Sequence, residues 1–269
     1  MELRFGPPMP PSSLRKAAFP LLALFACLAL RSDAPHPHPS RLAHLPRLTL
    51  WAWERREDLR SLDPNTFAVA YLDQTLTLGP AIHAQPRRDP VAFPAAITRI
   101  PVVRIEAPRY ATLTDSQRAQ AVEAILTTAR EPGIAALQID FDATRSQRAF
   151  YRSLLVDLRR QMPPNLPLSI TALASWCASD DWLHTLPIDE AVPMFFRMEP
   201  FLMEPRPTIR TDQISYLNSY PIREPLCQSS IGLSTTEPWP SKLAGKRIYV
   251  FPDHGWQHEI PSELPRRLE

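Results

Sequence analysis

Two aspartates end the segment of this chain that carries the strongest chemical signal. In Leu137-Gln138-Ile139-Asp140-Phe141-Asp142, apolar residues alternate with polar ones, which predicts a strand. The amphipathic segment that follows predicts a helix, so we expect both faces of this strand to be covered. A carboxylate on the inner face of a covered strand is costly unless a partner compensates its charge. Asp140 and Asp142 are therefore the first candidates for acid and base chemistry.

A second charged pair ends the preceding predicted strand. Arg104 and Glu106 alternate in the same way, and neighbouring strands lie about 4.8 Å apart, so we expect this pair beside the two aspartates. An arginine lowers the pKa of a nearby carboxyl group, whereas crowded carboxylates raise it, and such a difference separates an acid from a base. The predicted catalytic residues are Asp142 as base or nucleophile and Glu106 as acid. Asp140 is either a third catalytic group or the structural partner of Arg104.

Further candidates follow other predicted strands. Tryptophans interleaved with charged residues suit carbohydrate, because an indole ring stacks on the apolar face of a sugar while charged groups bind its hydroxyls. A single tryptophan is more often a packing residue, and only its repetition at strand ends favours binding. Asp189 and Glu190 precede a predicted strand and are expected to be structural. The predicted substrate-binding residues are Trp53, Glu54, Arg104, Trp176, Arg197, Glu237 and Trp256.

Eight predicted strands position these residues. Capping boxes at Thr114 and Thr144 predict helices after the third and fourth strands, and shorter helical segments are expected at 182–186 and 212–217. The first two connections lack the pattern of a full helix. The strands are predicted at Leu48–Trp53, Phe67–Leu72, Val102–Glu106, Leu137–Asp142, Leu168–Ala174, Ala191–Arg197, Ser230–Ser234 and Arg247–Phe251.

This order of strands and helices predicts an α/β fold over residues 48–269. The fold is a single (β/α)8 TIM-type barrel, small and with some short or missing helices. An open, doubly wound sheet is the alternative. In such a barrel the active site lies at the carboxyl ends of the strands, where most of the candidate residues are expected.

Residues 1–34 predict a signal peptide or a membrane or lipid anchor. Arg15 and Lys16 precede an apolar run from Ala17 to Leu30, which is short for a full membrane span. Lipid attachment at Cys27, an uncleaved anchor and plain secretion remain open. All three predict export to the periplasm or cell envelope, and an N-terminal anchor of either kind would make the membrane a partner. Residues 35–47, rich in proline and histidine, are expected to form a linker.

Composition excludes several classes of function. A net charge of +2 without a sustained basic block argues against nucleic acid as a partner. With six glycines, the chain has neither a P-loop nor a dinucleotide-binding fingerprint. It also lacks the Gly-x-Ser-x-Gly and HExxH motifs, so we predict no cofactor and no metal. Cys177 and Cys227 either form a disulfide in an oxidising compartment or remain two buried thiols.

Several segments together resemble one bacterial family, the domain of unknown function 3142. They include LWAWER at 50–55, LQIDFDA at 137–143 and SITALASWC at 169–177, followed by 189–194, 232–235 and 237–239. The resemblance extends over about residues 48–256. It implies no established activity.

A more distant similarity is to glycoside hydrolases of the chitinase-like barrel type. Their fourth strand carries Asp-x-x-Asp-x-Asp-x-Glu, in which the glutamate is the catalytic acid. Asp140 and Asp142 match the second and third aspartates, but Leu137 and Thr144 replace the first aspartate and the glutamate. The similarity implies a glycoside-hydrolase-like barrel whose acid comes from Glu106 or Glu237. The alternative is a non-catalytic envelope barrel that binds glycan or a partner protein.

Overall fold

The computed structural model describes residues 6, 39–198, 217–257 and 263–268. The chain divides into two compact units, Met1–Asp33 and Ala34–Glu269. The predicted targeting segment lies outside the described residues except for Gly6, and so does the predicted helix at 212–217 except for Leu217. Among the described residues, every helix is too short or too polar to cross a membrane.

Eight parallel strands close into a barrel. Its strands follow one another in the order β1, β3, β6, β7, β8, β9, β10 and β11, and β1 pairs with both β3 and β11. All eight predicted strands are present, and a closed barrel replaces the alternative of an open sheet. The strands are β1 (Leu48–Ala52), β2 (Glu57–Asp58), β3 (Phe67–Leu78), β4 (Ile82–Pro86), β5 (Val91–Ala92), β6 (Thr98–Glu106), β7 (Leu137–Asp140), β8 (Leu168–Leu173), β9 (Glu190–Met194), β10 (Ser230–Ser234) and β11 (Arg247–Phe251).

The first two connections of the barrel contain strands instead of helices. β3 continues six residues beyond its predicted end and forms an antiparallel hairpin with β4. β2 and β5 form a separate parallel pair. The extension of β3 follows from the alternation Thr75-Leu76-Thr77-Leu78, in which both leucines are fully buried. The prediction that these connections lack full helices is confirmed.

Helices are few in the described part of the chain. The helices predicted after β6 and β7 are confirmed as α2 and α3, and the Thr114 side chain accepts a hydrogen bond from the Gln117 backbone. Residues 182–185 form turns instead of the predicted helix, and Thr185 has φ 68°. The helices are α1 (Pro39–Leu42), α2 (Asp115–Ala129), α3 (Arg148–Gln161) and α4 (Ala174–Ala178), with 3-10 helices at Arg145–Gln147, Pro225–Cys227 and Pro265–Leu268.

Residues 39–47 pack onto the amino-terminal end of the barrel instead of forming an extended linker. Leu42 and Leu45 are buried in the apolar cluster that includes Trp51 of β1. Arg41 forms an ion pair with Asp189, and Arg247 donates a hydrogen bond to the Leu42 carbonyl oxygen. Burial of the Leu42 and Leu45 side chains stabilises this packed arrangement. Their burial outweighs the tendency of the surrounding prolines to keep the chain extended.

Hydrogen-bonded polar side chains cross the barrel interior. The indole nitrogen of Trp51 donates to Gln138, whose amide donates to Ser169. Nearer the amino-terminal end, Glu190 is fully buried and is bound by Tyr249 at 2.6 Å and by Arg247 at 3.1 Å. These contacts agree with the predicted structural role of Glu190, because a buried carboxylate requires such partners.

A disulfide joins the elements that follow β8 to those that precede β10. Cys177 of α4 is bonded to Cys227, and their Cα atoms are 5.9 Å apart. The Cys177 carbonyl oxygen also accepts hydrogen bonds from the backbone of Arg223 and Glu224. Of the two predicted alternatives, the structure therefore contains the disulfide.

Candidate functional site

The predicted charged residues of β6 and β7 come together at the carboxyl end of the barrel, which we call the mouth. The strands pair in register with Arg104 opposite Asp140. An Arg104 Nη1 atom lies 2.8 Å from Asp140 Oδ2, and its Nε atom lies 3.1 Å from Glu106 Oε1. Arg104 thus bridges an inner and an outer carboxylate, as the alternation of both strands predicts.

Asp140 is held on both of its carboxylate oxygens. Arg104 contacts one oxygen, and the Thr171 hydroxyl of β8 donates to the other at 2.6 Å. The residue is only 4% exposed. Because neither oxygen is free to take part in proton transfer, Asp140 acts as the structural partner of Arg104, and the alternative of a third catalytic group is not supported by its contacts.

Arg104 is a fixed cation at the mouth. Its side chain is about one-third exposed and lies over the ring of Trp53, 5.7 Å from the ring centroid. Burial disfavours the charge of this guanidinium, but Asp140 and Glu106 outweigh that effect and raise its pKa. Arg104 therefore remains charged and holds the surrounding carboxylates in place.

Asp142 differs from the other acidic residues at the mouth. Within the described residues its carboxylate has no hydrogen bond and no ion pair, and the residue is exposed to solvent. Partial desolvation and the nearby Asp140 raise its pKa, and the more distant Arg104 only partly opposes them. A carboxyl group that is accessible, unpaired and less acidic than usual is suited to exchange a proton with a ligand.

A second charged cluster lies at the carboxyl ends of β9, β10 and β11. The backbone nitrogen of Arg197 donates to Glu237 at 2.8 Å, and its guanidinium lies 3.0 Å from Asp253. Arg197 adopts φ 51°, a left-handed conformation that costs a residue with a side chain about 1 kcal/mol or more. Glu237 offsets this cost by fixing the Arg197 backbone, so the Arg197 side chain projects into solvent.

Aromatic rings connect the two charged clusters. Trp53, half-buried at the end of β1, lies 6.4 Å from the ring of Phe251, which lies 4.8 Å from Phe196. Because Arg104 covers part of Trp53 and Arg197 follows Phe196 directly, apolar and charged groups alternate across the mouth. We call Trp53, Arg104, Glu106, Asp142, Arg197 and Glu237 the mouth site.

Two predicted substrate-binding tryptophans, Trp176 and Trp256, are not available for binding at the mouth. Trp176 is 2% exposed because β8 ends at Leu173 and the chain turns into α4, which places the indole against Trp182 in the core. Trp256 is also buried and donates to the Trp51 carbonyl oxygen.

Glu54 is tied to the loop around Arg88. Its carboxylate accepts hydrogen bonds from the backbone nitrogens of Arg88 and Asp89. Burial alone would raise the pKa of Glu54, but these hydrogen bonds and nearby arginines lower it. Glu54 is therefore better placed to fix this loop than to bind a ligand.

Two residues of this region were absent from the sequence-based set of candidates. Thr171 is the polar, inward-facing residue of β8 next to Asp140. Because it alternates with Ser169 along the strand, the sequence pattern could have predicted that it faces inward. Phe196 has no such signal, because it lies beyond the end of β9 and its position depends on the turn at Arg197. Within the described ranges, no three histidine, cysteine or acidic side chains form a group that fits a metal ion.

Part of the barrel matches the model of a known protein family. Residues 96–194 match the model of a family described as Domain of unknown function (DUF3142). This match confirms the predicted resemblance over β6 to β9, which carry Arg104, Glu106 and Asp142. No match was found among the curated proteins or among the solved structures, and the similarity to chitinase-like hydrolases stays an expectation.

Proposed function

We propose that the mouth of the barrel binds and cleaves carbohydrate, in a chain whose residues 96–194 match the DUF3142 family model. The observation that carries this proposal is Asp142, an accessible carboxyl group that lacks a partner in the described residues and has a raised pKa. It lies two residues beyond the end of β7, the strand that pairs with β6 and its ion pair of Arg104 and Glu106. We further infer that the closed barrel is of the (β/α)8 type.

The contacts at the mouth suggest how two carboxyl groups would divide the chemistry. Glycoside hydrolysis requires one protonated and one ionised carboxyl group on either side of the scissile bond. Asp142 has the raised pKa expected of the acid, and Glu106 is ion-paired with Arg104 and is suited to be the carboxylate. We therefore propose Asp142 as acid and Glu106 as base or nucleophile, the reverse of the roles expected from the sequence.

The remaining mouth residues supply contacts for a sugar. The half-buried ring of Trp53 offers an apolar surface on which a sugar ring would stack, beside the guanidinium of Arg104. Arg197 projects into solvent with side-chain exposure of 77%. Its donors and those of Arg104 would bind hydroxyl groups on opposite sides of the ring, which orients the sugar for proton transfer.

The second candidate function is glycan or protein binding without catalysis. Thr144 stands where chitinase-like enzymes carry their acid, and its backbone nitrogen is committed to the side chain of Gln147 at the start of the next helix. Apart from Asp142, the carboxyl groups of the mouth site are engaged, because Glu106 is paired with Arg104 and Glu237 accepts a hydrogen bond from the Arg197 backbone. This function predicts binding without turnover.

We also propose export, which is supported indirectly by the disulfide between Cys177 and Cys227. Disulfides persist in secreted and periplasmic proteins and are rare in reducing compartments. Cell fractionation of the full-length chain tests this proposal. Recovery from the cytoplasm with both thiols reduced would contradict it.

The function is tested by incubating the full chain with a panel of polysaccharides and measuring new reducing ends. We expect turnover of at least one polysaccharide by the native chain and a loss of about 100-fold or more in Asp142→Asn, the range expected for removal of a general acid. Asp181→Asn is the matched control, because Asp181 is exposed and is not part of the mouth site. Equal rates for Asp142→Asn and the native chain would contradict the assignment.

A further inference from the structure

A groove with two arginines lies beside the mouth. Arg109 and Tyr110 from the loop after β6, and Thr144, Arg145 and Ser146 from the loop after β7, line an open cavity of about 470 Å³. We call it the loop groove. Both loops leave the carboxyl ends of their strands, so the groove lies on the same end of the barrel as the mouth site.

The two arginines of the loop groove have no acidic partner in the described part of the chain. Neither guanidinium forms a hydrogen bond or an ion pair with a described residue, and both residues are exposed. The mouth differs in this respect, because Arg104 is paired with Asp140 and Arg197 with Asp253. Two uncompensated cations on one concave surface create a local positive potential that favours an anionic ligand.

An aromatic side chain and two hydroxyl groups complete the loop groove. Tyr110 is 93% exposed, so its ring is accessible to a ligand. The hydroxyls of Thr144 and Ser146 lie 3.1 Å apart and are hydrogen-bonded to each other. A ring for stacking, hydroxyls for hydrogen bonds and arginines for anionic groups match the groups that an acidic sugar presents.

Hydrogen bonds between the two loops hold the groove in this arrangement. The Gln147 side chain donates to the Pro108 carbonyl oxygen at 2.9 Å and accepts from the Thr144 backbone nitrogen. The Thr144 hydroxyl reaches the Arg109 carbonyl oxygen at 3.4 Å. Because the loops are fixed to each other before a ligand arrives, less conformational entropy is lost on binding.

The loop groove is close enough to the mouth to contact the same ligand. Arg109 lies three residues beyond Glu106, and Arg145 lies three residues beyond Asp142. Three residues span at most about 11 Å, which is the length of roughly two sugar units. We propose that the loop groove is a subsite that selects glycans with carboxylate, sulfate or phosphate groups. This inference rests on the proposed carbohydrate function of the mouth site.

Equilibrium titration of the full chain tests the inference. The probes are tetragalacturonate, a sulfated galactan tetrasaccharide and a phosphorylated mannan tetrasaccharide, with a neutral galactan tetrasaccharide of the same length. We expect at least one acidic probe to bind about tenfold more tightly than the neutral one at low salt, and this preference should shrink as salt screens the arginines. The acidic group that gives the largest preference identifies the source of the anion.

Matched variants assign the preference to the groove. Arg109→Ala/Arg145→Ala should bind the acidic probes about tenfold more weakly and leave affinity for the neutral probe unchanged. Arg130→Ala/Arg223→Ala removes the same charge from two other exposed arginines, and it should keep the full preference. Because all four side chains are exposed, we expect unchanged thermal unfolding in both variants.

The possible negative binding results distinguish failure of the anionic subsite from failure of the proposed carbohydrate function. Equal affinity for acidic and neutral probes would overturn the anionic subsite and leave the proposed carbohydrate function standing. If no glycan of either kind binds, the proposed function fails and the subsite fails with it. Polyglutamate of similar charge is a further probe: binding as tight as that of the acidic glycans, lost in the double variant, would identify a site for acidic peptides and overturn the inference.

Discussion

Reduction of the Cys177–Cys227 disulfide should lower the free energy of unfolding by about 4 kcal/mol. The two cysteines are separated by 50 residues, and in the chain-entropy model a cross-link of that length removes about 4 kcal/mol of conformational freedom from the unfolded chain at 25 °C. Both cysteines are buried. Reduction leaves both sulfur atoms in the core. The difference in unfolding free energy between the oxidised and reduced chains therefore reports the cross-link itself, whereas a substitution would also change the packing.

The measurement is urea unfolding, followed by tryptophan fluorescence, with and without a thiol reductant. For a slope of about 2 kcal/mol per molar urea, the midpoint should fall by about 2 M on reduction. Cys27→Ala is the control, because it removes the third cysteine and therefore any exchange with it. It should show the same difference between the oxidised and reduced chains.

Two results would refute this reasoning. Oxidised and reduced chains that unfold at the same urea concentration would show that the cross-link does not restrict the unfolded chain. Thiol titration in denaturant provides the second test, since the non-reduced chain should expose at most one thiol. Three free thiols would show that the disulfide does not form.

Three further predictions concern side chains in and around the barrel. Because the folded-state pKa of Asp142 is raised above 3.8, this group binds more protons in the folded chain than in the unfolded chain just above that pH, so its own contribution to stability falls as pH rises through this window. The melting temperature of Asp142→Asn should therefore rise relative to that of the native chain as pH increases, and a difference that does not change with pH would argue against the raised pKa. Arg104→Met leaves the buried carboxylate of Asp140 without its cation and should cost about 3 kcal/mol in chemical denaturation; a cost below about 1 kcal/mol would mean that Asp140 is compensated in another way. The buried Tyr151 hydroxyl has no partner in the described residues, so Tyr151→Phe should leave stability unchanged or raise it by about 1 kcal/mol. Tyr249→Phe, by contrast, loses the 2.6 Å hydrogen bond to buried Glu190 and should cost about 1–3 kcal/mol. Equal melting temperatures for these two variants would contradict the difference in their contacts.

The barrel and the first charged cluster were predictable because their signals are local. Apolar alternation locates each strand, and the capping box at Thr114 locates the start of α2. Parallel pairing then brings Arg104 opposite Asp140, because both follow the same alternation at the ends of adjacent strands. The family match, over residues 96–194, includes these two strands.

The rest of the site depends on how the chain turns after each strand. Trp176 follows β8 closely in sequence, but the start of α4 at Ala174 rotates it into the core. Trp256 lies just beyond β11, and its burial depends on the Trp51 carbonyl, about 200 residues earlier in the chain. The left-handed backbone of Arg197 has no sequence signature, since glycine is the residue that signals such a conformation.

The most direct test of the proposed mouth site is equilibrium binding of the polysaccharide panel to the native chain and to Trp53→Ala, with Asp142→Asn alongside. We expect at least one polysaccharide to bind the native chain and Asp142→Asn with similar affinity. Binding to Trp53→Ala should be about tenfold weaker, since loss of an aromatic stacking contact costs on the order of 1 kcal/mol or more. No binding by the native chain, or equal binding by the folded Trp53→Ala variant, would contradict a carbohydrate site at the mouth.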